Sequence, residues 1–219
     1  MMADRFDLLI FDWDGTLADS TALITRSIQL AFADVGLAVP SRQQASYVIG
    51  YGLNEAMRFL APEATAAQVA QIVDAYKTHY LARDGEIALF DGVAEALAHY
   101  RSAGYQMAVA TGKSRRGLDR VLEQTGMGAF FETTRCADEC HSKPHPQMLE
   151  EITELLGVAP QRSVMIGDTT HDLQMALNAG TPALGVAYGA HPKADLAALQ
   201  PLGLFDTFAE LDGWLREHG

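Results

Sequence analysis

The chain has 219 residues, of which 48% are hydrophobic and 20% charged, ordinary proportions for a globular protein with room for one large domain or a core carrying a smaller insertion. Its formal net charge of −12 opposes nucleic-acid backbones and anionic lipid surfaces, so neither is an expected partner. No apolar run approaches the roughly 18 residues of a bilayer span, Asp4, Arg5 and Asp7 ahead of Leu8–Phe11 do not make a signal peptide, and two cysteines, Cys136 and Cys140, make no disulfide framework; a cytoplasmic location is the expectation.

Phe6–Phe11 is a short apolar run that stops at Asp12 and the turn-forming Asp14-Gly15, which predicts a buried strand ending in a polar loop. From Leu17 to about Arg83 no convincing strand occurs. Leu23, Ile24, Ser27, Ile28, Ala31 and Phe32 form a helical stripe closed by Gly36, and further helical patterns cover 54–60 and 66–81, with Pro62 between them. Beyond Ile87 the pattern changes to alternation. Helices are predicted over 91–102, 115–124, 146–156, from Asp168 to Asn178 and over 208–217, and strands over 105–110, 133–136, 163–166 and 182–186. Such alternation predicts an α/β fold, a Rossmann-like parallel sheet with helices on both faces. The first strand belongs to that sheet, so the helical stretch is an insertion. The expected division is a core of 1–17 and 86–219 and an all-helical domain of 18–85.

Polar features follow four of these strands: Asp12 with Asp14, Thr111, Lys143, and Asp168 with Asp172. Carboxyl ends of parallel strands share one edge, where ligands bind, so residues distant in sequence converge there. Each feature alone has a plainer explanation. Asp14-Gly15 suits a turn, Thr111 a helix start, Lys143 a solvated loop, and Asp168 and Asp172 the first turn of a helix. A calcium loop is excluded because the later acidic ligands are missing. His141 and His145 are separated by Pro144, which argues against a helical zinc pair.

In combination these segments resemble the haloacid dehalogenase superfamily, in the branch of phosphoglycolate phosphatase-like enzymes with a helical cap. The matching runs are Phe11-Asp12-Trp13-Asp14-Gly15-Thr16-Leu17, Ala110-Thr111-Gly112-Lys113-Ser114, Lys143-Pro144-His145-Pro146 and Gly167-Asp168-Thr169-Thr170-His171-Asp172. The resemblance implies a Mg²⁺-dependent hydrolase of a small phosphomonoester, phosphoglycolate-like or a sugar phosphate, working as a monomer or homodimer. Asp12 would be the nucleophile and Asp14 the acid and base. Thr111, Gly112 and Lys143 would bind the phosphoryl group. Asp12, Asp14 through its backbone carbonyl, and Asp168 would hold Mg²⁺, with Asp172 supporting that shell or tethering Lys143. Asp138 would help orient Lys143. A metal and a lysine would reverse the acidic sign locally.

Within the insertion, Gly50-Tyr51-Gly52-Leu53-Asn54 is the loop expected to reach a substrate, since its glycines permit close backbone approach. Arg58, one helical turn after Asn54, suits either a contact with a second anionic group, such as a carboxylate, or a plain surface charge. A sugar phosphate mutase and a non-catalytic phosphate-binding protein are the alternatives. Dehalogenation is disfavoured because the resemblance gives carbon-attacking members no need of Asp14 or a metal. A phosphonate hydrolase would need a Schiff-base lysine, and Lys77 is the insertion's sole candidate.

Overall fold

Leu8–Phe11 forms strand β1, and all four residues are buried. The computed structural model describes residues 6–219; the expectation drawn from Asp4 and Arg5 lies outside the described residues. β1 pairs in parallel with β2 (Gln106–Thr111) on one side and β4 (Ser163–Gly167) on the other. β3 (Thr133–Cys136) adds beyond β2, and β5 (Ala183–Val186) and β6 (Gly203–Phe205) beyond β4. The order is β3-β2-β1-β4-β5-β6, with every pairing parallel. The apolar runs are continuous because both faces are covered.

Alternation along β1 assigns its residues to two cores. Leu9 and Phe11 join a cluster with α5 (Val93–Ala103), α6 (Arg115–Thr125) and α10 (Phe208–His218). Leu8 and Ile10 join the opposite one, with α7 (Gln147–Leu156), α8 (Thr170–Ala179) and α9 (Lys193–Ala198). This is the two-faced α/β arrangement that the strand–helix alternation predicts.

Between β1 and α5 the chain builds helices alone: α1 (Thr21–Val35), α2 (Arg42–Tyr47), α3 (Leu53–Leu60) and α4 (Ala66–Leu81). They share a third core, in which Ile28, Phe32, Met57 and Ile72 are almost wholly buried. α1 ends where Gly36 takes a left-handed φ of 74°, a conformation that costs a residue with a Cβ. α2 was not anticipated, although Ser41 and Gln44 form a capping box at its start. α9 and β6 are likewise additional; six and three residues are too short for periodicity to register. Among the described residues no helix is long and apolar enough to cross a membrane.

Candidate active site

The carboxyl edge of β1, β2 and β4 gathers the expected residues. Asp12 follows β1 directly, and its amide donates to the Ile166 carbonyl of β4 (2.9 Å). Its Oδ1 accepts from the Trp13 amide (2.7 Å) and lies 3.0 Å from Lys143 Nζ. Its Oδ2 is buried with no hydrogen-bond partner. A buried carboxylate oxygen without a donor is costly, and marks a position where a cation or an electrophile would be welcome.

Lys143 reaches this point from the loop after β3, and its ammonium is shared between Asp12 and Asp172, 2.6 Å from the latter's Oδ1. Burial alone would lower its affinity for a proton, but the two carboxylates outweigh that and hold it above the ordinary lysine range. Asp172 Oδ2 accepts from the Thr169 amide and hydroxyl, closing a capping box at the start of α8. Asp172 is thus the tether of Lys143, the second of its two anticipated duties. Asp138 has no part in this: its Oδ1 accepts from the Arg115 amide at the head of α6 (2.8 Å). Its proximity in sequence to Lys143 was misleading, because the loop turns it toward α6.

Asp168 directly follows β4 with both oxygens engaged, Oδ1 by the Thr16 hydroxyl (3.1 Å) and Oδ2 by the Ala190 amide (2.7 Å). Gly15 and Gly189 pack so closely that a Cβ on either would come within 2.1 Å of Asp168 Oδ2. Gly15 also has φ +77°, so glycine is required there on two grounds. Carboxylate oxygens of Asp12, Asp168 and Asp172 lie within 4.8 Å of one another, all buried. Burial first, with Lys143 opposing and Asp172 and Asp14 adding to it, pushes Asp12 up to about 7. Burial, Asp172 and Asp12 push Asp168 well above the carboxylate range. Three acids facing one ammonium leave an excess of negative charge. A hard divalent cation fits such a set of oxygen donors and would relieve it.

Asp14 sits beside this cluster, and each of its oxygens has a partner. Oδ1 accepts from the Ser20 hydroxyl (2.6 Å), and Oδ2 lies 3.0 Å from Lys113 Nζ. Thr111 ends β2, buried, and its hydroxyl accepts from the Lys113 amide (3.2 Å), leaving the hydroxyl proton to donate elsewhere. Gly112 is pressed against the helical segment: a Cβ there would lie 2.6 Å from the Gly50 carbonyl oxygen.

Asp12, Asp14, Thr111 and Gly112 line a cavity of about 530 Å³ whose far wall is the helical segment. The whole of the 50–54 loop lines it, along with Ile24, Val73, Tyr76 and Lys77. Gly52 donates its amide to Ser142 Oγ (2.9 Å), which fixes the loop on the core. Arg58, one turn after Asn54, is exposed and is not among the residues that line the cavity. His141 and His145 lie exposed with ring centroids 4.6 Å apart, away from the acid cluster. The residues missed by sequence reasoning are Thr16, Ser20, Tyr80 and Lys113. The first two stand in or just after the Asp12 run, where a hydroxyl within reach of a carboxylate is a readable signal.

Residues 9–186 match the profile of the family described as haloacid dehalogenase-like hydrolase. The chain belongs to this family. It is 36% identical over 212 residues to "Probable phosphatase IndB" of Dickeya dadantii, covering 94% of this chain and 92% of that one. It is 31% identical over 210 residues to a phosphoglycolate phosphatase of Agrobacterium fabrum, covering 93% and 90%. This family member therefore falls in the branch resembling phosphoglycolate phosphatases. A solved structure of a hydrolase from Pseudomonas syringae superposes with a TM-score of 0.87 over 95% of this chain and 97% of its own, at 19% identity, and shows the shared fold.

Proposed function

We propose that this family member is a Mg²⁺-dependent phosphatase that hydrolyses a small phosphomonoester through an aspartyl-phosphate on Asp12. The observation that carries the reading is the buried Oδ2 of Asp12, which has no hydrogen-bond partner while Oδ1 of the same carboxylate is held by Trp13 and Lys143. That oxygen is oriented by its neighbours and has a lone pair to give.

Mg²⁺ would be held by Asp12, Asp168 and the backbone carbonyl of Asp14, and would supply charge neutralisation between the nucleophile and an anionic ester. The remaining work falls to the chain. The Thr111 hydroxyl, the Gly112 amide and Lys143 hold the phosphoryl oxygens in line with Asp12, since phosphoryl transfer depends mainly on positioning and charge stabilisation. The Asp12 oxygen bonds to phosphorus as the bond to the leaving oxygen breaks. Asp14 gives that oxygen a proton. A water then attacks phosphorus, Asp14 takes its proton, and the bond to Asp12 breaks to release inorganic phosphate.

In this reading residues 18–85 are a cap that closes the cavity over a core of 1–17 and 86–219, and the substrate is a phosphoglycolate-like or sugar phosphate metabolite. Phosphate release from a panel of metabolite phosphates with Mg²⁺, and an Asp12→Asn control, tests it. Release by the parent and none by the variant is expected. A parent that releases none from any ester, or a variant as active as the parent, rules it out. Product identity separates hydrolysis from transfer to a second hydroxyl of the same sugar.

A further inference from the structure

Lys113 is the least explained charge at the site. Its ammonium is largely buried, with about 10% of the side chain exposed, and lies 3.0 Å from Asp14 Oδ2. It also donates to the Tyr80 hydroxyl (3.0 Å) and lies 5.0 Å from the centre of that ring. Tyr80 belongs to α4, and its ring stacks on Tyr76 of the same helix at 5.6 Å. Lys113 therefore touches the core's second carboxylate and the helical segment at once. A lysine ammonium has three donors in a tetrahedral arrangement, so two fixed acceptors leave it little freedom.

We propose that Lys113 is the positioning residue for Asp14, holding its carboxylate in place through a hydrogen bond completed from the cap by Tyr80. The proposal rests on the reading of Asp14 as acid and base given above. A carboxylate on a short, rotatable stem must meet both the leaving oxygen and, later, a water. Ser20 fixes one of its oxygens and Lys113 the other. Withdrawal of α4 removes Tyr80 from Lys113 and frees the ammonium to leave Asp14. The carboxylate is then held on both sides only while the cap is docked.

Leaving-group dependence tests this. The p-nitrophenolate ion departs without a proton, whereas the alkoxide of phosphoglycolate needs one, so a displaced Asp14 penalises the second substrate selectively. Lys113→Met is expected to lower kcat/KM on phosphoglycolate about 100-fold, the size of effect a misplacement of about 1 Å produces, and on p-nitrophenyl phosphate far less. Tyr80→Phe, which keeps the ring and removes only the hydroxyl, is expected to show the same selectivity at about 3- to 10-fold, the worth of one hydrogen bond. Lys113→Arg is expected to recover part of the loss. Equal losses on both substrates, or none, would overturn the proposal; should Lys113→Met fail to fold, Tyr80→Phe decides. A parent that releases phosphate from no ester of the metabolite panel overturns the phosphatase reading itself, which separates the two failures; if another alkyl ester of the panel is the better substrate, it takes the place of phosphoglycolate in the comparison.

Discussion

Lys143 and Asp172 form a 2.6 Å ion pair in which both side chains are wholly buried. Removing one partner of an isolated buried pair costs about 3–5 kcal/mol, but without Asp172 the ammonium would still have Asp12 at 3.0 Å. Asp172→Ala also removes one half of the α8 capping box, the bonds that the Thr169 amide and hydroxyl donate to the same carboxylate. We expect it to lower unfolding stability by about 1–3 kcal/mol, the cost of buried donors left without their acceptor, and to abolish phosphate release. Urea unfolding with and without Mg²⁺ measures the first effect. A loss under about 1 kcal/mol would show that the pair is not stabilising in this way.

Burial of Asp12 and Asp168, with Asp172 close by, gives a pH dependence of definite sign. Asp12 is raised from 3.8 to about 7, so its contribution to stability is fully present below pH 3.8 and lost as pH rises through about 7; Asp168 is raised in the same direction. The metal-free protein should therefore lose stability across that interval, and Mg²⁺ should restore it. The rise in thermal midpoint on adding Mg²⁺ to EDTA-treated protein is expected to be larger at pH 7.5 than at pH 5. An equal rise at both would contradict the assignment.

His171 and His191 act with the opposite sign and at another joint. Both imidazoles place Nε2 against the single carbonyl of Tyr47, at 2.8 and 3.0 Å. A carbonyl only accepts, so each Nε2 carries its proton. His191 Nδ1 meanwhile accepts from the Thr170 amide (3.0 Å), a bond that protonation would break. Burial lowers His171 from 6.5 to about 4 and lowers His191 too. Their contribution is present above pH 6.5 and lost as pH falls through about 4, on the order of 2–3 kcal/mol for His171. Hydrogen exchange of residues 42–51 should therefore accelerate locally between pH 6.5 and 4.5, ahead of the sheet. Uniform acceleration across the chain would argue against this joint.

Gly112 has no room for a side chain, since an added Cβ would sit 2.6 Å from Gly50 O and 2.7 Å from Tyr51 O, both backbone atoms. Gly112→Ala should push the 50–54 loop off the core, with a loss of about 1–3 kcal/mol in stability and a faster exchange of the Gly52 amide that Ser142 now protects. An unchanged midpoint and exchange rate would show that the loop adapts at no cost.

The exposed position of Arg58 makes its own forecast. Arg58→Ala should leave KM unaltered for anionic esters, whereas Lys77→Ala, on the cavity wall, should raise KM for substrates with a second anionic group. Kinetics on phosphoglycolate and a neutral alkyl phosphate distinguish them; a raised KM in Arg58→Ala alone would reverse the assignment.

The residues legible in the sequence are those whose signal is local. Asp12 follows an apolar run, Asp168 ends another, and glycines close the helices at 36, 104, 157 and 180, so strand ends and helix lengths could be read. α2 and β6 were not, because six and three residues carry too little periodicity. Lys113 was visible as a letter in its motif but not as a partner of Asp14, since the pairing depends on where β1 and β2 place their ends. The error at Asp138 has the same origin: nearness along the chain to Lys143 does not say which way a loop turns. Arg58, four residues after Asn54, is on the same side of α3, yet it is exposed and off the cavity wall, because tertiary packing, not helical spacing, sets where a helix leaves a cavity.

β1 lies at the centre of the sheet, with Leu8 paired to Gln106 on one side and to Ser163 on the other. The strand that leads into Asp12 is made before both of its neighbours, which exist only much later in synthesis. Long-range pairing of this kind is slow to form, and it sets an order of events. A nascent chain has Asp12 and Asp14 early, acquires Thr111 and Lys143 only after the helical segment is complete, and lacks Asp168 and Asp172 until near the end. A half-made chain thus holds the carboxylates apart from every group that would tolerate or use their charge, and chemistry begins only when the sheet closes around its oldest strand.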